Sequence, residues 1–137
     1  MNIYFACSIT GGRKDEIIYQ SIIVYLVNSG HNVPTAFLAQ TNIMMKENNT
    51  TPSEIFTRDT SWIHNCDCLI AEISTPSHGV GYEIGYALNL EKPVLCLHHC
   101  DTRISKMISG NPHHLLTTNA YATTKEAITR IDQFLTP

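Results

Sequence analysis

The chain has 137 residues, a formal net charge of −3 from 12 acidic and 9 basic residues, and a hydrophobic content of 43%. That fits one domain over residues 1–137, with enough apolar material for a core that needs neither disulfides nor metal. Charges of both signs are scattered without a like-signed run, which argues against a nucleic-acid polymer or a membrane surface as partner, and with no basic leader or long apolar stretch the chain is expected to be cytoplasmic.

Asn2–Ala6 reads as a first strand. From Asp15 to Ser29, Ile17, Ile18, Ile22, Tyr25 and Leu26 fall on one stripe at helical spacing, and Gly30 closes that helix. A second strand is expected near His31–Val33. The polar segment Ala36–Asn49 fits a mobile loop or a short helix. Thr51-Pro52-Ser53-Glu54 is a capping box, with Thr51 as N-cap, Pro52 at the first helical position and Glu54 reaching back, and it predicts a helix from Pro52 to about His64. Cys68–Ile73 reads as a buried strand. The loop Ser74–His78 feeds a glycine-rich helix start at Gly79-Val80-Gly81, that helix runs to about Leu90, and Pro93 opens the strand Val94–Leu97. A short helix near Ile104–Ser109, a last strand around Asn119–Ala122 and a closing helix with the stripe Ala127, Ile128, Ile131, Phe134 and Leu135 complete the chain. Short apolar runs alternating with amphipathic stretches predict an α/β fold: a five-stranded, mainly parallel sheet with helices on both faces, a Rossmann-like three-layer sandwich.

Five cysteines, Cys7, Cys66, Cys68, Cys96 and Cys100, are an odd number, and reduced thiols in a core explain them. Cys66-x-Cys68 and His98-His99-Cys100 offer soft metal ligands, but neither has the two-residue spacing of structural zinc sites, so no metal is expected.

In open α/β sheets ligands bind beyond the carboxyl ends of the strands, so the loops Cys7–Arg13 and Ser74–Gly81 are expected to face each other across a site. Ser8, Thr10, Gly11 and Gly12 in the first, with Ser77, Gly79 and Gly81 in the second, suit an oxyanion held at a helix N-terminus; the same glycines also suit tight turns and a helix cap. Gly79-x-Gly81-x-x-x-Gly85 has one residue too many for a dinucleotide fingerprint, and Gly11-Gly12-Arg13-Lys14-Asp15 lacks the spacing of a triphosphate loop. Neither motif implies a nucleotide cofactor.

Two carboxylates stand out. Asp59 shares a helix stripe with Ile55, Trp62 and Ile63, where burial would raise its pKa toward that of a general acid. Arg58, about 100° away around the helix, is not expected to pair with it. Glu83 lies in the first turn or so of the glycine-rich helix, whose positive end would keep it ionised; acids at such positions also serve simply to stabilise the helix dipole. A protonated and an ionised carboxyl together are the equipment for cleaving a glycosidic bond.

The segments Ile3–Arg13 and Ser77–Gly85, with Arg58-Asp59, Trp62, the stretch Asp67–Glu72, the strand ending Leu95-Cys96-Leu97 and Ser105-x-Met107-Ile108, resemble the 2′-deoxynucleoside 5′-phosphate N-hydrolases, a branch of the nucleoside 2-deoxyribosyltransferase superfamily. The resemblance spans nearly the whole chain. It implies a flavodoxin-like homodimer, without cofactor, that hydrolyses the N-glycosidic bond of a nucleoside 5′-monophosphate. In that reading Glu83 forms a covalent sugar-phosphate intermediate, Asp59 helps protonate the departing base and Tyr4 orients the nucleophile. Ser8, Ser77 and Gly79 hold the 5′-phosphate, and Ser105 reaches in from the neighbouring subunit. The resemblance departs at Thr10, where the hydrolases carry an arginine; Arg13, Lys14 or His78 are the cations left to replace it. A deoxyribosyltransferase that exchanges bases, and a nucleotide-binding module without turnover, are the alternative readings.

Overall fold

The structure, a computed structural model, describes residues 1–9 and 15–136. Thr10, Gly11, Gly12, Arg13 and Lys14 fall outside the described residues. Four strands, β1 (Ile3–Ala6), β2 (Cys68–Glu72), β3 (Val94–His99) and β4 (Leu116–Tyr121), form one parallel sheet in the order β1-β2-β3-β4. Around it lie α1 (Glu16–Asn28), a 3₁₀ turn (Ala36–Ala39), α2 (Ile43–Glu47), α3 (Pro52–Asn65), α4 (His78–Asn89), α5 (Lys106–Ser109) and α6 (Thr124–Leu135).

The expected fifth strand at 31–33 is not formed. Asn32 makes an isolated parallel bridge to Asn2, with Ile3 N–H donating to Asn32 O at 2.8 Å and Asn32 N–H to Met1 O at 2.9 Å. Pro34 then has no N–H to offer, and the next β1 donor, Phe5 N–H, is taken by the Thr35 hydroxyl at 3.0 Å instead of a backbone carbonyl. The ladder therefore stops after one rung.

Strand alternation divides the core into two halves. Ile3, Phe5, Cys68, Ile70, Leu95 and Leu97 face α1 and α6, while Tyr4, Ala6, Leu69, Ala71, Val94 and Cys96 face α3 and α4. The stripe of α1 is rotated from the expected one: Tyr19, Ile22, Ile23 and Leu26 are buried, whereas Ile17 is 80% exposed. Ile17 lies about 160° around the helix from Tyr19, on the side away from the core. Gly30 closes α1 as expected, at φ 83°, with His31 N–H returning to Leu26 O at 3.1 Å.

The capping box at α3 is present in both directions: Glu54 N–H donates to Thr51 Oγ1 at 3.2 Å and Thr51 N–H to the Glu54 carboxylate at 2.8 Å. The segment 36–49 resolves into the 3₁₀ turn and α2. All five cysteines are free, four of them buried and Cys100 exposed. No helix among the described residues is long and apolar enough to cross a membrane.

Candidate active site

Tyr4, Asp59 and Glu83 come from three different elements to one place. Tyr4 is in the middle of β1 with its side chain on the α3/α4 face, fully buried. Its hydroxyl donates to Glu83 Oε1 at 2.7 Å across the boundary between sheet and helix. Glu83 lies in the second turn of α4, one turn further in than expected, because the helix begins at His78 with Ser77 as N-cap. Asp59, on α3, and Glu83 line a common cavity of about 540 Å³. Its other walls include Ile9, Met44, Ile55, Phe56 and Tyr82, so a polar pair sits inside a mainly apolar recess.

Asp59 is paired, contrary to the expectation from helix geometry. Arg58 Nε donates to Asp59 Oδ1 at 2.7 Å, and Nη1 bonds Glu47 Oε1 at 3.0 Å. The helical period places the two Cβ atoms about 100° apart, but a guanidinium on a long flexible stem folds back over that angle. Tertiary packing holds it there: the Arg58 Cζ lies 5.1 Å from the centre of the Phe37 ring and 5.0 Å from that of Trp62. Both Phe37 and Glu47 belong to the segment that the sequence leaves undefined, so the partner of Asp59 is set by a part of the chain without a periodic signal.

The charge states also differ from expectation. Burial pushes the Glu83 carboxyl up to about 7; the charge of Asp59 adds to this, while the Tyr4 hydrogen bond and Arg58 oppose it. Burial likewise raises Asp59, but the Arg58 hydrogen bond and charge pull it back. Burial thus outweighs the helix terminus at Glu83, while Arg58, bonded directly to Asp59, favours the charged form there. Burial, followed by the nearby carboxylates Glu83 and Asp59, raises the Tyr4 phenol far above its ordinary value, so Tyr4 stays a hydrogen-bond donor.

The loop expected to bind phosphate leads into the N-terminus of α4, with Ser77 as N-cap. Ser77 Oγ accepts from Val80 N–H at 3.3 Å, which leaves its own proton free to donate. The N–H groups of His78 and Gly79 have no acceptor among the described residues, and a side chain at Gly79 would approach only Ser77 Oγ, at 3.8 Å. Ser8 is fully buried just beyond β1. Ser105, the N-cap of α5, lies apart from Glu83, in the wall of a second cavity of about 590 Å³ that it shares with Ser77, His78 and Ile84. The structure thus joins Tyr4 to Glu83 directly, brings Asp59 into the wall of the same cavity as Glu83, sets Ser77 and Gly79 at the head of the same helix, and puts Ser105 across a neighbouring recess. Thr10 and Gly11 lie outside the described residues.

The soft ligands weighed in the sequence divide. Cys66 Sγ donates to Ile63 O at 3.1 Å and is buried. His99, Cys100 and Asp101 bring donor atoms within 4.8 Å of one another, but His99 Nδ1 already accepts from Asp101 N–H at 3.2 Å.

A family model described as nucleoside 2-deoxyribosyltransferase matches residues 3–127. This chain belongs to that family. Within it, the chain is 39% identical over 113 residues to a protein of Methanococcoides burtonii carrying the provisional name 2′-deoxynucleoside 5′-phosphate N-hydrolase 1, covering 82% of this chain and 93% of that one. It is 43% identical over 98 residues to 5-hydroxymethyl-dUMP N-hydrolase of Danio rerio, covering 71% and 68% of the two chains. Among solved structures, the CMP N-glycosidase BcmB of Clostridium botulinum superposes with a TM-score of 0.73 over 97% of this chain and 99% of its own, at 22% identity, which shows a shared fold.

Proposed function

We propose that this chain is an N-glycosidase that hydrolyses a nucleoside 5′-monophosphate, with 2′-deoxyribose as the preferred sugar, to free base and sugar 5-phosphate. The observation that carries the reading is the Tyr4–Glu83 hydrogen bond at 2.7 Å in an apolar cavity that also holds Asp59. The names of the relatives, N-hydrolases of nucleoside 5′-phosphates, support the same chemistry.

In the proposed reaction a Glu83 carboxylate oxygen bonds to the anomeric carbon as the C1′–N bond breaks. The departing base takes a proton from Asp59. Water then attacks the same carbon, gives its proton to the Asp59 carboxylate and frees Glu83, so both carboxyls return to their starting states. The reaction needs charge on Glu83, where burial favours the neutral form, and a proton on Asp59, where Arg58 favours the charged form. Substrate supplies the correction: positive charge developing on the sugar favours a carboxylate at Glu83, and a base closing over Asp59 excludes water and favours the neutral acid. Tyr4 keeps donating to Glu83 throughout. Phe56 and Tyr82, whose ring centres lie 6.2 Å apart at the cavity wall, offer flat apolar faces to a base.

The phosphate is assigned to Ser8, Ser77 and the N–H of Gly79, with Thr10, Gly11 and the cations Arg13, Lys14 and His78 as further contributors. A homodimer is part of the proposal: Met107 is 82% exposed beside Ser105, and a second copy packed there would carry Ser105 of the partner subunit toward the phosphate. The deciding experiment incubates the protein and Glu83→Ala with deoxy- and ribonucleoside 5′-monophosphates and the matching nucleosides, and measures free base. Base from monophosphates with the parent chain alone is the expected result. Labelled base entering intact nucleoside would instead make it a transferase, and no base from any substrate would leave a binding module.

A further inference from the structure

Glu72 is a carboxylate that the proposed chemistry does not use. It ends β2 and is fully buried. Alternation along β2 puts it on the same side as Cys68 and Ile70, the α1/α6 face, so the sheet separates it from Tyr4, Asp59 and Glu83. An acid with no access to solvent needs partners, and those of Glu72 are all donors. Ser74 N–H lies 3.3 Å from Oε1, the Ser74 hydroxyl donates to the same oxygen, and the Tyr121 hydroxyl reaches it at 2.9 Å.

These bonds tie the ends of three strands to one loop. Ser74 Oγ in turn accepts from His99 N–H at 2.7 Å, so the serine is held between β2 and β3, while Tyr121 brings in β4 and sets its ring edge-on to His99 at 5.7 Å. One residue on, the Thr75 hydroxyl donates to the Asp15 carboxylate at 2.7 Å, which joins the loop to the N-cap of α1 at the end of the first glycine-rich loop. Ser77 follows two residues later as the N-cap of α4.

We infer that Glu72 is a positioning residue that, through Ser74, fixes the Ser74–Gly79 loop in the conformation that binds the substrate's 5′-phosphate. The inference rests on the phosphate assignment above. Three donors converge on Oε1, which fits an ionised carboxyl, and a proton on Oε2 would remove the charge that strengthens those bonds. Burial raises the carboxyl's pKa, with Ser74 and Tyr121 opposing and Asp15 adding. The other ionisable groups facing it are the phenols of Tyr19 and Tyr121. Protonation of Glu72 under acid conditions would slacken the loop.

The test compares Glu72→Leu, which keeps bulk but removes every acceptor, Glu72→Gln, which keeps one acceptor oxygen but cannot titrate, and Ser74→Ala, which cuts the link from the other side. Steady-state kinetics are measured with a nucleoside 5′-monophosphate and with the matching nucleoside from pH 5 to 8, and monophosphate binding by calorimetry. Glu72→Leu and Ser74→Ala are expected to raise KM and Kd for the monophosphate about 10-fold or more, with kcat and the nucleoside kinetics little changed, as for loss of a charge-assisted contact. Glu72→Gln is expected to restore the affinity near neutral pH and to lack the acid-side rise in KM of the parent chain. Equal losses on nucleoside and nucleotide, or unchanged affinity and pH profile in all three variants, would overturn the inference. If the parent chain binds monophosphate but releases no base, the hydrolase reading fails and the Kd comparison still decides Glu72; if it does not bind monophosphate, both fall.

Discussion

At Glu83 burial and hydrogen bonding pull in opposite directions, and burial wins. With a folded-state pKa of about 7, above that of an exposed glutamate, the folded chain binds this proton more tightly than the unfolded one does. The stabilisation is complete below the unfolded pKa and is lost as pH rises through about 7. Glutamine carries no charge to desolvate and still accepts from Tyr4, so Glu83→Gln is expected to melt higher than the parent at alkaline pH by roughly 10 °C, on the order of 3 kcal/mol, with the gap closing in acid. The same variant is expected to lose turnover and keep nucleotide binding, measured by base release and calorimetry. Because the nucleophile must be ionised, kcat/KM should fall on the acid side of about pH 7, and Tyr4→Phe, by removing the bond that lowers the Glu83 pKa, should move that limb to higher pH. Asp59→Asn is expected to cut turnover by about 10²–10⁴-fold, the usual contribution of a general acid, without raising KM comparably. An unchanged rate would make Asp59 structural.

The helices differ in how openly their ends are written. Thr51→Ala removes the hydroxyl acceptor of the α3 capping box and is expected to cost about 1 kcal/mol, seen as a lower Tm with unaltered kcat. The C-terminus of α4 holds a reserve of stability instead. Glu91 follows the helix at φ 56°, in the left-handed region, with Lys92 N–H returning to Ala87 O at 3.0 Å, the same closure that Gly30 provides for α1. A side chain in that conformation costs about 1 kcal/mol, so Glu91→Gly is expected to raise Tm by a few degrees and leave the kinetics alone. The element without a periodic pattern, residues 36–49, is the one that supplies Phe37 and Glu47 to Arg58. Its local sequence carries no signal of that role, because the contacts that matter are made with α3.

For the whole molecule the proposal turns on a second copy. Ile104, Met107 and Ile108 line an apolar recess beside Ser77, with Met107 largely exposed. If a partner covers that recess and delivers Ser105, Met107→Glu should give a monomer by light scattering and a parallel loss of nucleotide hydrolysis, since a charge cannot be buried there unpaired. A monomer of full activity would separate the dimer from the site.

The order of strands and helices, the α3 capping box and the Gly30 closure are legible in the sequence, because periodicity and cap residues are local properties of the chain, whereas Tyr4 enters the proposed site through the family resemblance and not through any local pattern. The number of strands was not, since the 31–33 segment has strand-like residues and loses its ladder to Pro34 and to a Thr35 side chain folded back from beyond it. Nor were the Arg58–Asp59 pair, the raised pKa of Glu83 or the Glu72 link. The first two need β1, α3, α4 and the segment 36–49 packed together, since Phe37 and Glu47 hold Arg58 and burial acts on Glu83, and the third needs the ends of β2, β3 and β4 to meet; distance, burial and mutual charge exist only then.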